Sequence, residues 1–268
     1  MTSLFSASSL RPGCNVTSPA PRAVTVAGPL GLGRFEETER ELEDLERRYP
    51  DRYWELVRFR QRFQRFGETE GWRDAYERIA SKLPPQHRPY PARTCLLATG
   101  DLDGWIAYVE QLGPELVDYD RDEELGIAYW ATGVEARARP HLLTMVERMK
   151  RSPDGPSNAW GAVALELLGR HAEAIRAADE AVRLMPESRD AVNGPTVAIR
   201  RAWVLIHGRG AGAEDGYAEF ERLLGAYMLQ PREVATEPLW RILGDDARVQ
   251  QIFRDAIAKV AEARDARI

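Results

Sequence analysis

Histidines are the side chains of this chain best suited to acid–base or metal chemistry at neutral pH, because their ordinary pKa is about 6.5. The chain holds four of them: His87, His141, His171 and His207. Two histidines on one helix can share a metal ion when they stand about four residues apart. No pair here has that spacing, so we expect no metal site and interpret these histidines as packing residues.

Pairs of carboxylates are the second group of candidates, and they occur at Asp101/Asp103, Glu123/Glu124 and Asp245/Asp246. Such pairs catalyse proton transfer only when a cleft holds them against a substrate. Helix capping and solvated faces explain them more simply. The sequence contains no nucleophile elbow, no glycine-rich phosphate loop and no kinase catalytic loop. We therefore predict that the protein is not an enzyme and binds no cofactor.

The two cysteines, Cys14 and Cys95, do not indicate a disulfide framework or a zinc site. They are far apart, and one lies in an irregular stretch of sequence. We expect Cys95 to be a reduced thiol that faces the core.

Arginines alternate with aromatic residues in the segment 58–66, which reads Arg-Phe-Arg-Gln-Arg-Phe-Gln-Arg-Phe. This pattern could bind nucleic acid. On a helix, however, Phe59, Phe63 and Phe66 share one face, which favours a buried aromatic stripe with a basic outer face. The net charge of −5 also argues against a general nucleic-acid binder. We expect no nucleic-acid partner.

Composition indicates a soluble, folded protein, with 44% hydrophobic and 29% charged residues. No apolar run approaches the roughly 18 residues that a membrane-spanning helix needs. We expect no membrane partner and a cytoplasmic location. Lysine occurs only three times while arginine is abundant, which favours a bacterium with a GC-rich genome.

The chain divides near residue 32. Residues 1–32 are dominated by Ser, Pro, Gly and Thr and contain no acidic residue, which predicts a disordered tail. Residues 33–268 are predicted to form the folded part.

The folded part shows a repeat of helix, turn and helix. Glycines recur between two helical patterns at intervals of about 34 residues, and they are Gly33, Gly67, Gly100, Gly133, Gly169, Gly208 and Gly244. Apolar residues keep nearly the same distance from each turn. Four residues before it stand Phe63, Leu96, Tyr129, Leu165 and Val204. A period of this length indicates a solenoid or a related array.

The repeat resembles the tetratricopeptide repeat (TPR), in which a glycine closes the first helix and a proline ends the second. The best copy has Ala162, Gly169, Ala174, Ala181 and Pro186 at the small, turn and proline positions of that family. The copies at Gly67 and Gly100 depart from it, because Trp72 and Trp105 stand where alanine is usual. The resemblance covers residues 33–260 and implies an all-α, right-handed α-solenoid of about six TPR-like helix pairs.

The resemblance also implies a function. First helices of TPR units line a concave groove that binds a protein or peptide partner. On this register the groove residues would be Trp54, Gln61, Arg65, Tyr90, Thr94, Glu123, Ile127, Trp130, Val163 and Glu166. We predict a non-enzymatic scaffold for protein–protein interaction. The alternative is a regulatory or sensory module of a bacterial kinase, cyclase or transcription regulator, since segment 237–253 is similar to tails that follow TPR arrays in bacterial signalling proteins.

The array begins in mid-repeat. Gly33 opens a second helix, but the residues before it are poor helix formers. We expect that earlier repeats are missing from this chain, which would make it a fragment of a longer one. In the other interpretation, the polar helix Glu36–Arg48 caps the array.

Overall fold

The computed structural model describes residues 35–48, 54–113, 120–225 and 230–265, and these ranges hold helices and no strand. The predicted all-α class is therefore confirmed. Fourteen α-helices lie within the described ranges, together with a short 3-10 helix at Pro85–His87. They are α1 (Phe35–Arg48), α2 (Trp54–Phe66), α3 (Trp72–Ala80), α4 (Pro89–Ala98), α5 (Leu102–Gln111), α6 (Arg121–Ala131), α7 (Glu135–Arg151), α8 (Gly155–Leu167), α9 (His171–Leu184), α10 (Gly194–His207), α11 (Ala213–Gly225), α12 (Pro231–Thr236), α13 (Pro238–Arg241) and α14 (Ala247–Asp265).

Helices α2 to α11 pack as consecutive pairs, and each pair packs on the next. The first helices of the pairs are α2, α4, α6, α8 and α10, and the second helices are α3, α5, α7, α9 and α11. Residues 1–34, which include the predicted tail and the turn near Gly33, lie outside the described residues.

Glycines with positive φ separate the helices of four pairs: Gly67, Gly100, Gly133 and Gly169, with φ between 77° and 80°. This left-handed conformation is strained for any residue with a Cβ atom, so glycine suits the turn. The fifth pair differs, because Gly208 has φ of −66° and the left-handed residue is Arg209, with φ of 48°. The turn of this pair therefore lies one residue later than in the other four.

Aspartates cap the first turns of several helices. The side chains of Asp101, Asp120 and Asp154 accept hydrogen bonds from the backbone N–H groups of Gly104, Glu123 and Ser157. Asp246 accepts from the N–H groups of Arg248 and Val249 at the start of α14. Each bond satisfies a donor that the first helical turn leaves unpaired. Two of the acidic pairs, Asp101/Asp103 and Asp245/Asp246, thus each contain one capping carboxylate.

Small residues let the central helices approach closely. Ala162, Ala174 and Ala181 are fully buried between α8, α9 and their neighbours. A Cβ atom on Gly161 would lie 2.5 Å from the Met149 sulfur on α7. The unit around Gly169 is therefore the most closely packed part of the array.

The bulky residues of the first two pairs are accommodated by aromatic packing. Trp72 is buried between Phe59 and Phe63, and Trp105 is buried against Tyr108. Phe66 departs from the predicted buried stripe, because 46% of it is exposed. It is the last residue of α2, where the chain turns away at Gly67, so no second helix covers it.

The C-terminal region returns along the array. Helix α12 packs on α2 and α4, α13 packs on α6, and α14 packs on α11 and α12. Val260 of α14 also contacts the apolar cluster that Leu42 and Leu45 of α1 form with Trp54 and Val57 of α2. Residues 230–265 therefore connect the last helix pair to the first.

Among the described residues, no helix combines the length and the apolar character needed to cross a membrane.

Candidate interaction surface

The first helices present a surface to which part of the same chain is bound. We call the side chains of α2, α4, α6 and α10 that contact α12 and α13 the first-helix surface. Residues 230–241, the C-terminal segment, lie on it. Two glutamates of this segment, Glu233 and Glu237, make its charged contacts with α2 and α4.

Glu233 lies in a pocket formed by α2. Arg60 Nη2 donates a hydrogen bond to Glu233 Oε2 at 2.8 Å, and Arg60 Nε contacts Oε1. Gln64 Nε2 donates to Glu233 Oε1 at 2.7 Å. The Arg60 guanidinium also lies 5.5 Å from the centre of the Tyr90 ring on α4. A buried carboxylate is thus held by a two-pronged guanidinium contact and an amide.

Glu237 lies in a second pocket, on α4. Arg93 Nη1 donates to Glu237 Oε1 at 2.7 Å, and Nη2 contacts the other oxygen. Arg93 Nε donates to Glu124 Oε1 of α6 at 2.9 Å, and Trp105 Nε1 donates to Glu124 Oε2 at 3.0 Å. Glu124 and Trp105 therefore fix the guanidinium that receives Glu237.

Electrostatics favour the charged form of both segment glutamates. Burial alone would raise the pKa of Glu237, but the charge of Arg93 and its hydrogen bond, together with the charge of Arg200, help lower that pKa to about 2. The pKa of Glu233 is likewise lowered, because Arg60 and Gln64 outweigh burial. Two ion pairs that are largely out of water make removal of one partner costly, since the other charge then stays buried.

The pKa of a third carboxyl group on this surface, that of Glu123, is raised and not lowered. Glu123 of α6 makes no ion pair among the described residues, and burial raises its pKa to about 8 despite the opposing charge of Arg200. The Arg200 guanidinium of α10 lies 3.8 Å from the centre of the Trp160 ring, and burial lowers its pKa. Glu123 therefore carries a proton at neutral pH for much of the time.

The segment does not fill the space beneath it. A cavity of about 20 Å³ lies between Glu233, Thr236 and Glu237 on one side and the side chains of α2 and α4 on the other. That volume suits a water molecule. It is far below the roughly 300 Å³ at which pockets for small organic ligands begin.

Other contacts attach α13 more firmly. Trp203 Nε1 of α10 donates to the Leu239 carbonyl at 2.8 Å. The Trp240 ring stacks on Phe220 of α11, with 4.0 Å between ring centres, and meets Phe253 edge-on. Pro238 to Trp240 are thus part of the core. In α12, Pro231 and Val234 are buried as well, and Glu233 supplies the charged contact.

Four of the residues predicted to line a groove lie at or near this surface. Tyr90 and Thr94 line the cavity. Gln61 is buried in α2, and Glu123 is the protonated carboxyl described above.

The other predicted groove residues lie elsewhere. Trp54 packs on the α1 cluster, and the Arg65 guanidinium lies 4.9 Å from the centre of the Phe66 ring. Trp130 is partly buried against the main core. Ile127 and Val163 are buried in that core.

Glu166 is also buried, with 2% of its surface exposed. It accepts hydrogen bonds from His171 Nδ1 of α9 at 2.9 Å and from His207 Nδ1 of α10 at 2.8 Å. Burial opposes ionisation, but the two histidines lower the pKa of Glu166. This carboxylate therefore joins three helices inside the array.

The residues that hold the segment were not among those predicted. They are Arg60, Gln64, Arg93, Glu124, Glu233 and Glu237. Arg60 and Arg93 each precede a predicted residue, Gln61 and Thr94, by one position, which corresponds to about 100° around a helix. The four-residue spacing of Glu233 and Glu237 is visible in the sequence. Its role becomes clear only in the structure, where residues 230–241 pack on the first helices.

Burial raises the pKa of the Cys95 thiol to about 11, so it is not a nucleophile at neutral pH. The described residues contain no group of three or more His, Cys, Asp or Glu side chains placed to hold a metal ion. What the surface can do is bind carboxylates through arginine.

Comparison of the chain with protein-family models, with curated proteins and with solved structures gives no match in any of the three.

Proposed function

We propose that this chain is a non-enzymatic protein-interaction module, built as a TPR-like α-solenoid, that binds a partner protein on the surface of its first helices. The bacterial and cytoplasmic setting expected from the sequence belongs to the same proposal. The observation that carries it is the C-terminal segment itself. A short helical segment, distant in sequence, lies across α2, α4 and α6 and is recognised through charged groups.

The arrangement of helices supports this function over catalysis. Consecutive helix pairs expose side chains from many elements along one surface, which suits recognition of a segment or a partner domain. The cavity in the described surface is water-sized, so recognition there depends on contact between side chains and a partner.

Affinity capture with quantitative mass spectrometry tests the proposal. The full chain is compared with Tyr90→Ala, which alters the first-helix surface at its cavity, and with Ile175→Ala, which alters an exposed residue of the second helix α9. Circular dichroism establishes that each variant is folded. We expect Tyr90→Ala to lose specific partners that Ile175→Ala retains. Identical partner sets in all three proteins would contradict the proposal.

A further inference from the structure

The two carboxylate pockets belong to the array, whereas the carboxylates belong to the C-terminal segment. Arg60 and Gln64 lie on α2 and Arg93 lies on α4, while Glu233 and Glu237 come more than 140 residues later in the chain. The pockets could therefore receive carboxylates from another chain. Any such ligand needs two acidic side chains about four residues apart.

The pockets are held in place by residues other than the segment. Trp105 and Glu124 fix the Arg93 guanidinium, and Tyr90 lies beneath that of Arg60. A site whose donors are already oriented loses less conformational entropy when a ligand binds. The array thus resembles a receptor, and the segment resembles its ligand.

The fit of the segment itself is incomplete. Helix α12 has only six residues, and a helix that short is not stable alone. The cavity of about 20 Å³ lies under α12, between it and the side chains of Phe63, Trp72 and Leu97. Dispersion contacts are absent where that gap exists. Pro231 and Val234 of α12 are buried, whereas its polar recognition on α2 and α4 depends on the carboxylates of Glu233 and Glu237.

We propose that the first-helix surface binds an acidic segment of another protein in place of residues 230–237, and that it recognises two carboxylates four residues apart in the Arg60 and Arg93 pockets. This inference rests on the proposed interaction function and names both the partner's chemistry and its competitor. The tethered segment acts as an internal competitor, with an effective concentration on the order of millimolar. A partner therefore binds only when its concentration and affinity are high enough to displace the tethered segment.

A labelled peptide tests the inference on the full chain. The probe is a fluorescein-labelled peptide with the sequence of residues 230–241, and its binding is followed by fluorescence anisotropy. Three proteins are compared: the unchanged chain, Glu233→Gln/Glu237→Gln, and that variant with Arg60→Met/Arg93→Met added. We expect the peptide to bind the glutamine variant at least tenfold more tightly than the unchanged chain. We expect the arginine changes to abolish this gain.

Two controls make the outcome decisive. A peptide with glutamine at both glutamate positions must not bind the glutamine variant, and binding of the acidic peptide must weaken as salt concentration rises. If the glutamine variant does not fold, hydrogen exchange on the unchanged chain replaces it. Millimolar acidic peptide should then accelerate exchange of the amides of 230–236, and the glutamine peptide should not.

Several results would overturn the inference. They are a folded glutamine variant that does not bind the peptide, binding that survives the two arginine changes, and, in the exchange experiment, no acceleration. A dimer of the glutamine variant, seen by light scattering, would also overturn it, because a second copy would then be the occupant. Loss of specific partners in Tyr90→Ala would still support the proposed function, so the two failures are distinguishable.

Discussion

Charge balance explains the unusual carboxyl at Glu123. The charges that act on it include two guanidiniums, those of Arg93 and Arg200, and the carboxylate of Glu124. Arg93 already contacts two other carboxylates directly, those of Glu124 and Glu237. The third carboxyl has no direct cationic contact among the described residues and lies in a partly buried position. Keeping a proton is then the lower-energy state.

Replacing Glu123 by glutamine should change how stability depends on pH. The folded pKa of about 8 exceeds the ordinary value of 4.5, so the folded state retains a proton that the unfolded state releases between those values. The contribution of Glu123 to stability is therefore full below about pH 4.5 and falls as pH rises to about 8. Glu123→Gln removes this loss, and we expect a gain on the order of 1–3 kcal/mol near pH 8.

Denaturant unfolding between pH 5 and pH 8.5, in steps of about half a unit, measures this effect. The matched control is Glu68→Gln, at an exposed position in the turn after α2. It should leave the pH dependence unchanged. Parallel pH profiles for Glu123→Gln and the unchanged chain would show that Glu123 is ionised in the folded state.

Contacts between elements depend on a few buried groups, of which Glu166 is the clearest. It connects the end of α8 with His171 at the start of α9 and His207 at the end of α10. A carboxylate that accepts two hydrogen bonds at a buried position fixes the relative placement of three helices. Its removal would leave both ring N–H groups without their acceptor.

We expect Glu166→Ala to lower the free energy of unfolding by about 2–3 kcal/mol at pH 7. Because the folded pKa of Glu166 is lowered, its contribution is present above about 4.5, the ordinary value, and is lost as pH falls through the folded pKa. The difference between variant and unchanged chain should therefore shrink in acid. Glu180→Gln, on the exposed face of α9, is the control and should have no measurable effect. A difference that grows in acid would contradict the assignment.

The close approach of α7 and α8 leads us to a second prediction about contacts between helices. An added Cβ at Gly161 would overlap Met149, whereas one at Gly225, at the end of α11, meets nothing within 4 Å. We expect Gly161→Ala to cost about 1–3 kcal/mol and Gly225→Ala to be neutral or slightly stabilising. Thermal unfolding of the two variants checks this. Equal melting temperatures would show that Met149 moves aside freely.

The elements were predictable from the sequence because their signals are local. Glycine turns and periodic apolar residues predicted helix pairs from residue 54 to residue 225, and the small residues around Gly169 identified the best copy of the repeat. The carboxylate pockets were not predictable, for two physical reasons. The predicted groove positions differ by one residue from those that bind the segment, and one residue corresponds to about 100° around a helix. The prediction therefore named Gln61 and Thr94, whereas Arg60 and Arg93 hold the glutamates. The return of residues 230–265 is a contact between distant parts of the chain, which no local pattern encodes.

The molecule as a whole is an array of helix pairs whose last segment returns to its first helices. Val260 reaches the α1 cluster, and Glu233 and Glu237 reach α2 and α4. Because these contacts join the C-terminal helices to the first helices, loosening one end of the array should destabilise the other. The same contacts leave the first-helix surface occupied until something displaces residues 230–237.

A double-mutant cycle between Arg93 and Glu237 tests this closure most directly, because these residues are 144 positions apart and meet only if the segment is bound. The free energy of unfolding is measured for the unchanged chain, Arg93→Met, Glu237→Gln and the double variant, with Arg93→Met and Glu68→Gln as the control cycle. We predict a coupling energy of about 2 kcal/mol for the first cycle and about zero for the control. A coupling energy below about 0.3 kcal/mol between Arg93 and Glu237 would contradict the account, since the segment would then not lie on the first-helix surface in solution.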